Sequence, residues 1–283
     1  LALEKGFRLV GAPAWGWCRW GVRAGESQLR NIDAFADIYR ALEDRGVLGV
    51  IVTNWAPSRF IQGATWDGLA YAGMALNEGS AVARQYSLPR FVSDHYGAEW
   101  NITWADVYRT LYHITPPRRS CSPAWMAPFQ PIAWGSEAEL TGALMEKVAP
   151  DLPFERLRRQ LAECAESVQQ NQGDFQAFSL AVEVLGHLHW RHLAGRAIQE
   201  PHPSRDEIDR LIQTIAAGDA RMVEKLEHDW DQTRFVDSPA KTDLLPYFSY
   251  EDQTLLNLSR AAHFSAGLAE QPGLLSAILA ASS

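Results

Sequence analysis

The sequence has few cysteines and no long hydrophobic stretch. Its 283 residues include three scattered cysteines and no Cys-x-x-Cys pair. So few cysteines, odd in number, argue against a disulfide framework and favour a reducing compartment, so we expect a cytoplasmic protein. No apolar run approaches the roughly 20 residues that are needed to cross a bilayer. The sequence therefore predicts a protein without membrane spans.

Basic side chains are also in the minority. The chain has 26 Lys and Arg against 34 Asp and Glu, a net charge of −8. An acidic chain is poorly suited to nucleic acid or to an anionic membrane surface, so we expect neither as a partner. With 47% hydrophobic residues, the chain has the composition of a globular protein with one large or two ordinary domains.

Tryptophan, by contrast, is abundant. There are 11 tryptophans, nine of them at or before Trp134. An indole offers a flat apolar face with one N–H donor, which suits either a large core or the wall of a sugar-binding slot. The composition leaves both interpretations open for each tryptophan.

The first part of the chain mixes strands and helices. Residues 7–12 and the β-branched run 47–53 predict two strands. Between them, Ile32, Phe35 and Tyr39 recur with helical spacing, and Gly46 is a suitable stop. A strand, a helix and a strand with short links form a βαβ unit, so the two strands should be parallel. Two further helices are expected, over residues 66–77 and from Trp104 with Thr103 as N-cap.

The remaining residues predict helices only. A proline-rich stretch between residues 116 and 135 reads as a loop or linker. After it, Ser136 with Glu139 and Ser204 with Glu207 form capping-box patterns ahead of apolar periodic runs. We therefore expect a boundary between an α/β domain, residues 1–131, and a helical domain, residues 132–283.

Two parallel strands cannot bury the run 47–53 on both faces by themselves. A (β/α)8 barrel takes about 250 residues, and only the first half of this chain has α/β character. The fold class expected is α/β followed by all-α: the last strands of a TIM barrel, whose first part would precede Leu1, with a C-terminal helical domain. A small open α/β sheet, complete in itself, is the alternative.

The candidate site follows from the strand ends. The first strand is followed by Trp15, Trp17 and Arg19, and the second by Asn54 and Trp55. In a barrel the carboxyl ends of the strands face the active site. Indoles at two adjacent strand ends could wall a sugar site, or they could only plug the mouth of the barrel.

These segments resemble a known family. GAPAWGW and GVIVTNW, joined by one helix, and the following TWDGLAYAGMALN are similar to the last strands and a helix of family 20 glycoside hydrolases. The likeness is to the hexosaminidase D-like branch of these β-N-acetylhexosaminidases and covers about residues 6–80. It implies retaining hydrolysis of terminal N-acetylhexosamine in glycans, with the sugar's own 2-acetamido oxygen as nucleophile and no cofactor.

By matching motif positions, the resemblance makes Trp55 a wall of the aromatic box around the sugar. Trp15 and Trp17 would lie on its rim. Asn54 and Arg19 would bond sugar hydroxyls.

One family feature is missing from the chain, namely the Asp-Glu pair that orients the acetamido group and supplies the general acid. Asp206-Glu207 and Glu43-Asp44 lie in predicted helices with charged neighbours, where no desolvated pocket would raise a carboxyl pKa. No catalytic residue is therefore assigned, and the chain alone is expected to be inactive. A non-catalytic sugar-binding or scaffold protein is the alternative function. An unrelated α/β and helical protein with core tryptophans is the third.

A cluster of histidines, His187, His189 and His192, invites a metal interpretation. On a helix, however, the first two point about 200° apart, at 100° per residue. No ligand set of recognised spacing accompanies them, so we expect partly exposed or packing histidines and no metal. Cys18 has no His partner in sequence and is not expected to act as a nucleophile. The oligomeric state is left open.

Overall fold

A computed structural model describes residues 3–16, 26–54, 61–114, 153–199 and 204–233, and some residues between 259 and 276. The chain divides into two compact units. Unit 1 comprises Leu1–Cys121 and Glu155–Ala181, and unit 2 comprises Ser122–Phe154 and Val182–Ser283. This division differs from the single boundary expected after residue 131, because residues 155–181 pack with the N-terminal elements.

Unit 1 opens with the predicted βαβ arrangement. Its elements are β1 (Leu9–Gly11), β2 (Ala14–Gly16), α1 (Glu26–Leu42), β3 (Val47–Val50) and β4 (Thr53–Asn54). β1 pairs with β3 and β2 with β4, both in parallel. The prediction of two parallel strands around one helix is thus confirmed, although each strand is divided into two short pieces.

The links of this unit have the expected backbone conformation. Gly46 ends the turn before β3 with φ of 99°, a left-handed conformation that favours glycine. α1 buries Leu29, Ile32 and Ala36 and covers one face of the strands. A Cβ on Gly11 would lie 3.1 Å from Phe35 Cδ1, so the helix approaches the strand closely there.

The rest of unit 1 is helical. α2 (Trp66–Glu78), α3 (Ser80–Tyr96), α4 (Ile102–Ile114) and α5 (Phe154–Ala165) are followed by α6 (Gln172–Gln199). The helices expected over residues 66–77 and from residue 104 are confirmed.

The N-cap of α4 differs from the prediction. Asn101 Oδ1 accepts hydrogen bonds from the backbone N–H groups of Thr103, at 2.9 Å, and Trp104, at 3.1 Å. Asn101, rather than Thr103, therefore caps the helix, because an N-cap oxygen must reach the N–H groups two and three residues ahead.

Aromatic side chains fill the centre of unit 1. Trp104 is fully buried and stacks on Tyr96, with ring centroids 5.5 Å apart. Tyr108 packs against Phe178 of α6 at 5.3 Å. For Trp104, the structure selects the core-filling interpretation that the composition left open.

Unit 2 contains the second part of α6 and α7 (Arg205–Thr233), with helical residues at 265–269. Ser204 caps α7, since its Oγ accepts a hydrogen bond from the Glu207 N–H at 3.2 Å. The capping box predicted there is confirmed on its Ser204 side, while Ser136 and Glu139 lie outside the described residues. The core cluster of this unit comprises Ala194, Ile208, Ile212, Ile215 and Leu268.

The helical region expected in the second half is therefore present, and the described strands form two short parallel pairs rather than a closed barrel. Within the described ranges, the helices are all too short or too polar to cross a membrane.

Candidate functional site

The carboxyl ends of the two strands lie side by side. In the β2–β4 pair, Gly16 is the register partner of Asn54. The Thr53 N–H donates to Pro13 O at 2.9 Å and the Thr53 hydroxyl to the same oxygen at 3.2 Å. In addition, Asn31 Nδ2 donates to Ala14 O at 3.3 Å. These bonds fix the register at the end of the strand pair.

The predicted site residues follow directly from this pair in sequence. Trp17 comes after Gly16, and Trp55 comes after Asn54. Trp17, Arg19 and Trp55 lie outside the described residues, and of Asn54 the structure describes the backbone. The roles assigned to these four residues remain predictions.

Trp15 lies in the core of unit 1. It is 1% exposed, and its Nε1–H donates to Thr65 O at 3.0 Å. A Cβ on Gly68 would lie 1.6 Å from Trp15 Cζ2, so the indole packs directly against the first turn of α2. Its burial and its engaged N–H give no support to the expected place on the rim of a sugar slot, and that role stays a prediction.

A buried carboxylate that the sequence did not indicate lies on the same turn of α2. Asp67 is 2% exposed and accepts a hydrogen bond from the Tyr112 hydroxyl at 2.7 Å. A negative charge in the first turn of a helix is stabilised by the helix dipole. Since Asp67 and Tyr112 are 45 residues apart, no local pattern could have paired them.

A polar network joins α1, α2 and α3 on the surface of unit 1. Arg84 Nε donates to Asp33 Oδ2 at 2.9 Å, and Arg84 Nη1 donates to Glu26 Oε1 at 2.8 Å. The Tyr71 hydroxyl donates to the other oxygen of Asp33. Burial and the hydrogen bond to Asp33 raise the pKa of Tyr71 well above its ordinary value. Tyr71 therefore acts as a hydrogen-bond donor at neutral pH and not as a base.

A groove of about 350 Å³ lies between α2 and α3. Its polar lining includes Glu78, which is paired with Arg90 at 2.8 Å, and His95, whose Nε2 lies 2.9 Å from Asp174 Oδ2. Glu78 and Asp94 are exposed. The groove therefore does not provide the desolvated carboxyl that general acid catalysis requires.

The acidic pairs noted in the sequence are exposed. Glu43 and Asp44 lie in a short 3-10 helix, and Asp206 and Glu207 lie in the first turn of α7. The expectation that solvated helix surfaces explain both pairs is confirmed.

Of the two described histidines of α6, His189 has the predicted packing role, whereas His187 pairs with a carboxylate. His187 Nε2 lies 2.7 Å from Asp219 Oδ1, whereas His189 is buried and packs against Phe154 with ring centroids 5.5 Å apart. His192 lies on α6, but its side chain is outside the description. Among the described side chains, no group of three or more His, Cys, Asp or Glu could hold a metal ion.

Asp219 is the centre of a buried polar cluster in unit 2. Its second carboxylate oxygen accepts from the Ser265 hydroxyl at 2.9 Å and lies 3.3 Å from Arg191 Nε. Arg191 is fully buried. Burial lowers the pKa of its guanidinium, and the nearby negative charge of Asp219 opposes this shift. The cluster joins α6, α7 and the segment of Ser265, and so supports a structural role.

Comparison of the chain with protein-family models, with curated proteins and with solved structures finds no match.

Proposed function

We propose that this chain is the C-terminal part of a glycoside hydrolase resembling the β-N-acetylhexosaminidases, with the βαβ unit as the last part of a (β/α)8 barrel. The substrate class is glycans that end in N-acetylhexosamine. The observation that carries the proposal is the parallel register of Gly16 and Asn54. It makes Trp17 and Trp55 the next residues after two neighbouring strand ends.

This position suits a sugar site. In α/β folds the ligand binds at the carboxyl ends of parallel strands. Trp55 and Trp17 would provide flat apolar walls, while Asn54 and Arg19 would bond the sugar hydroxyls. Trp15 would then have a supporting role. Its indole is fixed between the strand and α2, and it would hold in place the backbone that leads to Trp17.

The general acid would come from elsewhere. Glu43, Asp44, Asp206 and Glu207 are exposed, and Asp67 is buried but bonded to Tyr112. An acid that protonates a glycosidic oxygen needs a pKa raised by desolvation. We therefore assign the Asp-Glu pair to polypeptide outside these 283 residues, and expect this chain to bind the sugar without hydrolysing it.

The test is a calorimetric titration of the 283-residue chain with N-acetylglucosamine. We expect binding, and we expect Trp55→Ala to weaken it by about 1–3 kcal/mol, the size of a buried aromatic contact. Tyr86→Ala is the matched control, since Tyr86 is an exposed aromatic residue on α3 away from the strand ends. The protein from the complete reading frame should release nitrophenol from 4-nitrophenyl N-acetyl-β-glucosaminide.

Each other result has a definite meaning. Binding by the complete protein without turnover would favour the sugar-binding or scaffold alternative. No binding at millimolar sugar would refute the proposal and leave the tryptophans as core residues. Equal affinity of the Trp55→Ala variant and the parent would remove Trp55 from the site.

A further inference from the structure

The groove between α2 and α3 lies within unit 1 and has the size of a small-molecule site. Its volume is about 350 Å³, which is in the range of ligand pockets. The apolar part of its lining includes Ala70, Met74 and Phe91. At Gly73, which also lines it, a Cβ would meet nothing within 4 Å. The groove therefore has room for a ligand with an apolar part.

One buried polar side chain of the groove has an open hydrogen-bonding position. Ser87 lines the groove and is 3% exposed, and its hydroxyl makes no hydrogen bond to a described residue. A buried hydroxyl without a partner costs free energy, and the large majority of such groups in folded proteins are paired. The Ser87 hydroxyl is therefore available to a bound molecule.

The charged groups of the groove differ in whether they are already paired. Arg90 Nη1 lies 2.8 Å from Glu78 Oε1, and His95 Nε2 lies 2.9 Å from Asp174 Oδ2. Asp94 also lines the groove and is exposed, and its carboxylate has no hydrogen bond or ion pair with a described residue. The charge that the groove offers to a ligand is therefore negative.

The available polar groups are mainly hydrogen-bond acceptors. A carboxylate only accepts, and a hydroxyl can accept as well as donate. The Asn77 side chain lines the groove and donates through Nδ2 to Gly73 O at 2.8 Å, while its amide oxygen adds an acceptor. An ammonium group has three N–H donors and a positive charge, so it matches Asp94 in both charge and hydrogen bonding.

The two available groups on α3 are too far apart for a single ammonium group. Ser87 and Asp94 differ by seven positions, which is two helical turns and about 10 Å along the axis at about 1.5 Å per residue. Phe91 lies one turn from each of them on the same helix, and it lines the groove between them. A ligand that uses both groups therefore needs two polar ends joined by an apolar chain.

We propose that this groove binds a short aliphatic amino alcohol. The ammonium end pairs with the Asp94 carboxylate, the hydroxyl end bonds to the Ser87 hydroxyl, and the carbon chain packs on Phe91 and Met74. A four-carbon chain is long enough, because bonds of about 1.5 Å and a hydrogen bond of about 2.9 Å at each end give a span of about 12 Å.

The charge balance of the groove favours one cationic end. Asp94 supplies one carboxylate without a described partner, so one ammonium group neutralises it. An anion is disfavoured, because the guanidinium of Arg90 is already paired with Glu78. The inference uses none of the residues of the proposed sugar site and does not depend on that proposal.

The experiment is a saturation-transfer NMR titration of the 283-residue chain, in phosphate buffer without amines, with three probes of equal chain length. The probe 4-amino-1-butanol has both polar ends, n-butylamine lacks the hydroxyl, and 1,4-butanediol lacks the charge. Asp94→Asn removes the charge of the groove, and Asp44→Asn is its control, since Asp44 is an exposed carboxylate before β3. Ser87→Ala removes the available hydroxyl, and Ser93→Ala, at an exposed position of the same helix, is its control. Circular dichroism checks that each variant is folded.

We expect the amino alcohol to bind about threefold to tenfold more tightly than n-butylamine and at least about tenfold more tightly than 1,4-butanediol. Asp94→Asn should weaken binding of the amino alcohol at least about tenfold, whereas Asp44→Asn should change it less than about twofold, because salt screens a distant exposed charge. Ser87→Ala should remove the advantage of the amino alcohol over n-butylamine, and Ser93→Ala should preserve it.

Several results would overturn the proposal. Similar affinity for all three probes would do so, as would the absence of saturation transfer to millimolar amino alcohol. Equal effects of Asp94→Asn and Asp44→Asn would place the bound cation outside the groove. In urea unfolding without a probe, Ser87→Ala should be at least as stable as Ser93→Ala, because no hydrogen bond is lost. A less stable Ser87→Ala variant would show that the hydroxyl already has a partner within the protein, and the proposal would fail.

Discussion

The contact between Trp15 and α2 allows a prediction with a built-in control. α2 contains two glycines in different surroundings, Gly68 and Gly73. A Cβ on Gly68 would lie 1.6 Å from Trp15 Cζ2 and 1.7 Å from Trp15 Cε2, whereas a Cβ on Gly73 would meet nothing within 4 Å. The same substitution, glycine to alanine, therefore creates a severe overlap at one position and none at the other.

The expected magnitude follows from three contributions. Overpacking a filled core costs about 1–3 kcal/mol. Displacing the indole also breaks its hydrogen bond to Thr65 O, and a buried polar group left without a partner costs about 1–3 kcal/mol. Alanine favours a helix over glycine by about 1 kcal/mol. We therefore expect Gly68→Ala to lower the free energy of unfolding by about 1–5 kcal/mol.

The assay is urea unfolding followed by far-UV circular dichroism, with hydrogen exchange of peptides from α2 to localise the effect. Gly73→Ala should be neutral or should raise the free energy of unfolding by up to about 1 kcal/mol, since only the helix preference acts there. Equal stability of Gly68→Ala and Gly73→Ala would show that the Trp15 indole does not pack against Gly68 of α2.

Two further predictions concern buried polar groups. Tyr112→Phe removes the hydroxyl that donates to Asp67 and should lower the free energy of unfolding by about 1–3 kcal/mol in the same urea assay. Tyr86→Phe, on the exposed surface, should leave the free energy of unfolding unchanged. Equal stability of the two variants would show that the hydrogen bond to Asp67 does not stabilise the fold. Burial, with the nearby charge of Glu163, raises the pKa of the Cys164 thiol to about 12. Because the folded state then holds this proton more tightly than the unfolded chain does, this contribution to stability is present below about pH 9 and is lost as the pH rises toward 12. Urea unfolding between pH 8 and pH 10.5 (about the range in which an unfolded thiol ionises) should show a smaller decline for Cys164→Ala than for the parent, and parallel curves would contradict the assignment.

The features that could be predicted from the sequence depend on residues that are close together along the chain. The βαβ unit followed from strand-forming runs, one helical period and Gly46, and each of these signals spans only a few residues. The Ser204 cap was predictable for the same reason, since its partner is three residues away. The cap of α4 was predicted two residues too late, because the pattern alone did not distinguish Asn101 from Thr103.

Three features were decided by the tertiary structure alone. Trp15 became a core residue because Gly68, 53 positions later, lets α2 approach its ring. Asp67 bonds to Tyr112, and Asp219 contacts His187 and Ser265. These partners are far apart along the chain, so no sequence periodicity relates them. The sequence by itself determined which segments form strands and helices, because local backbone preferences and side-chain spacing govern that choice. Which apolar face is covered and which carboxylate is buried depended on packing between distant segments, where sequence spacing carries no information about proximity in space.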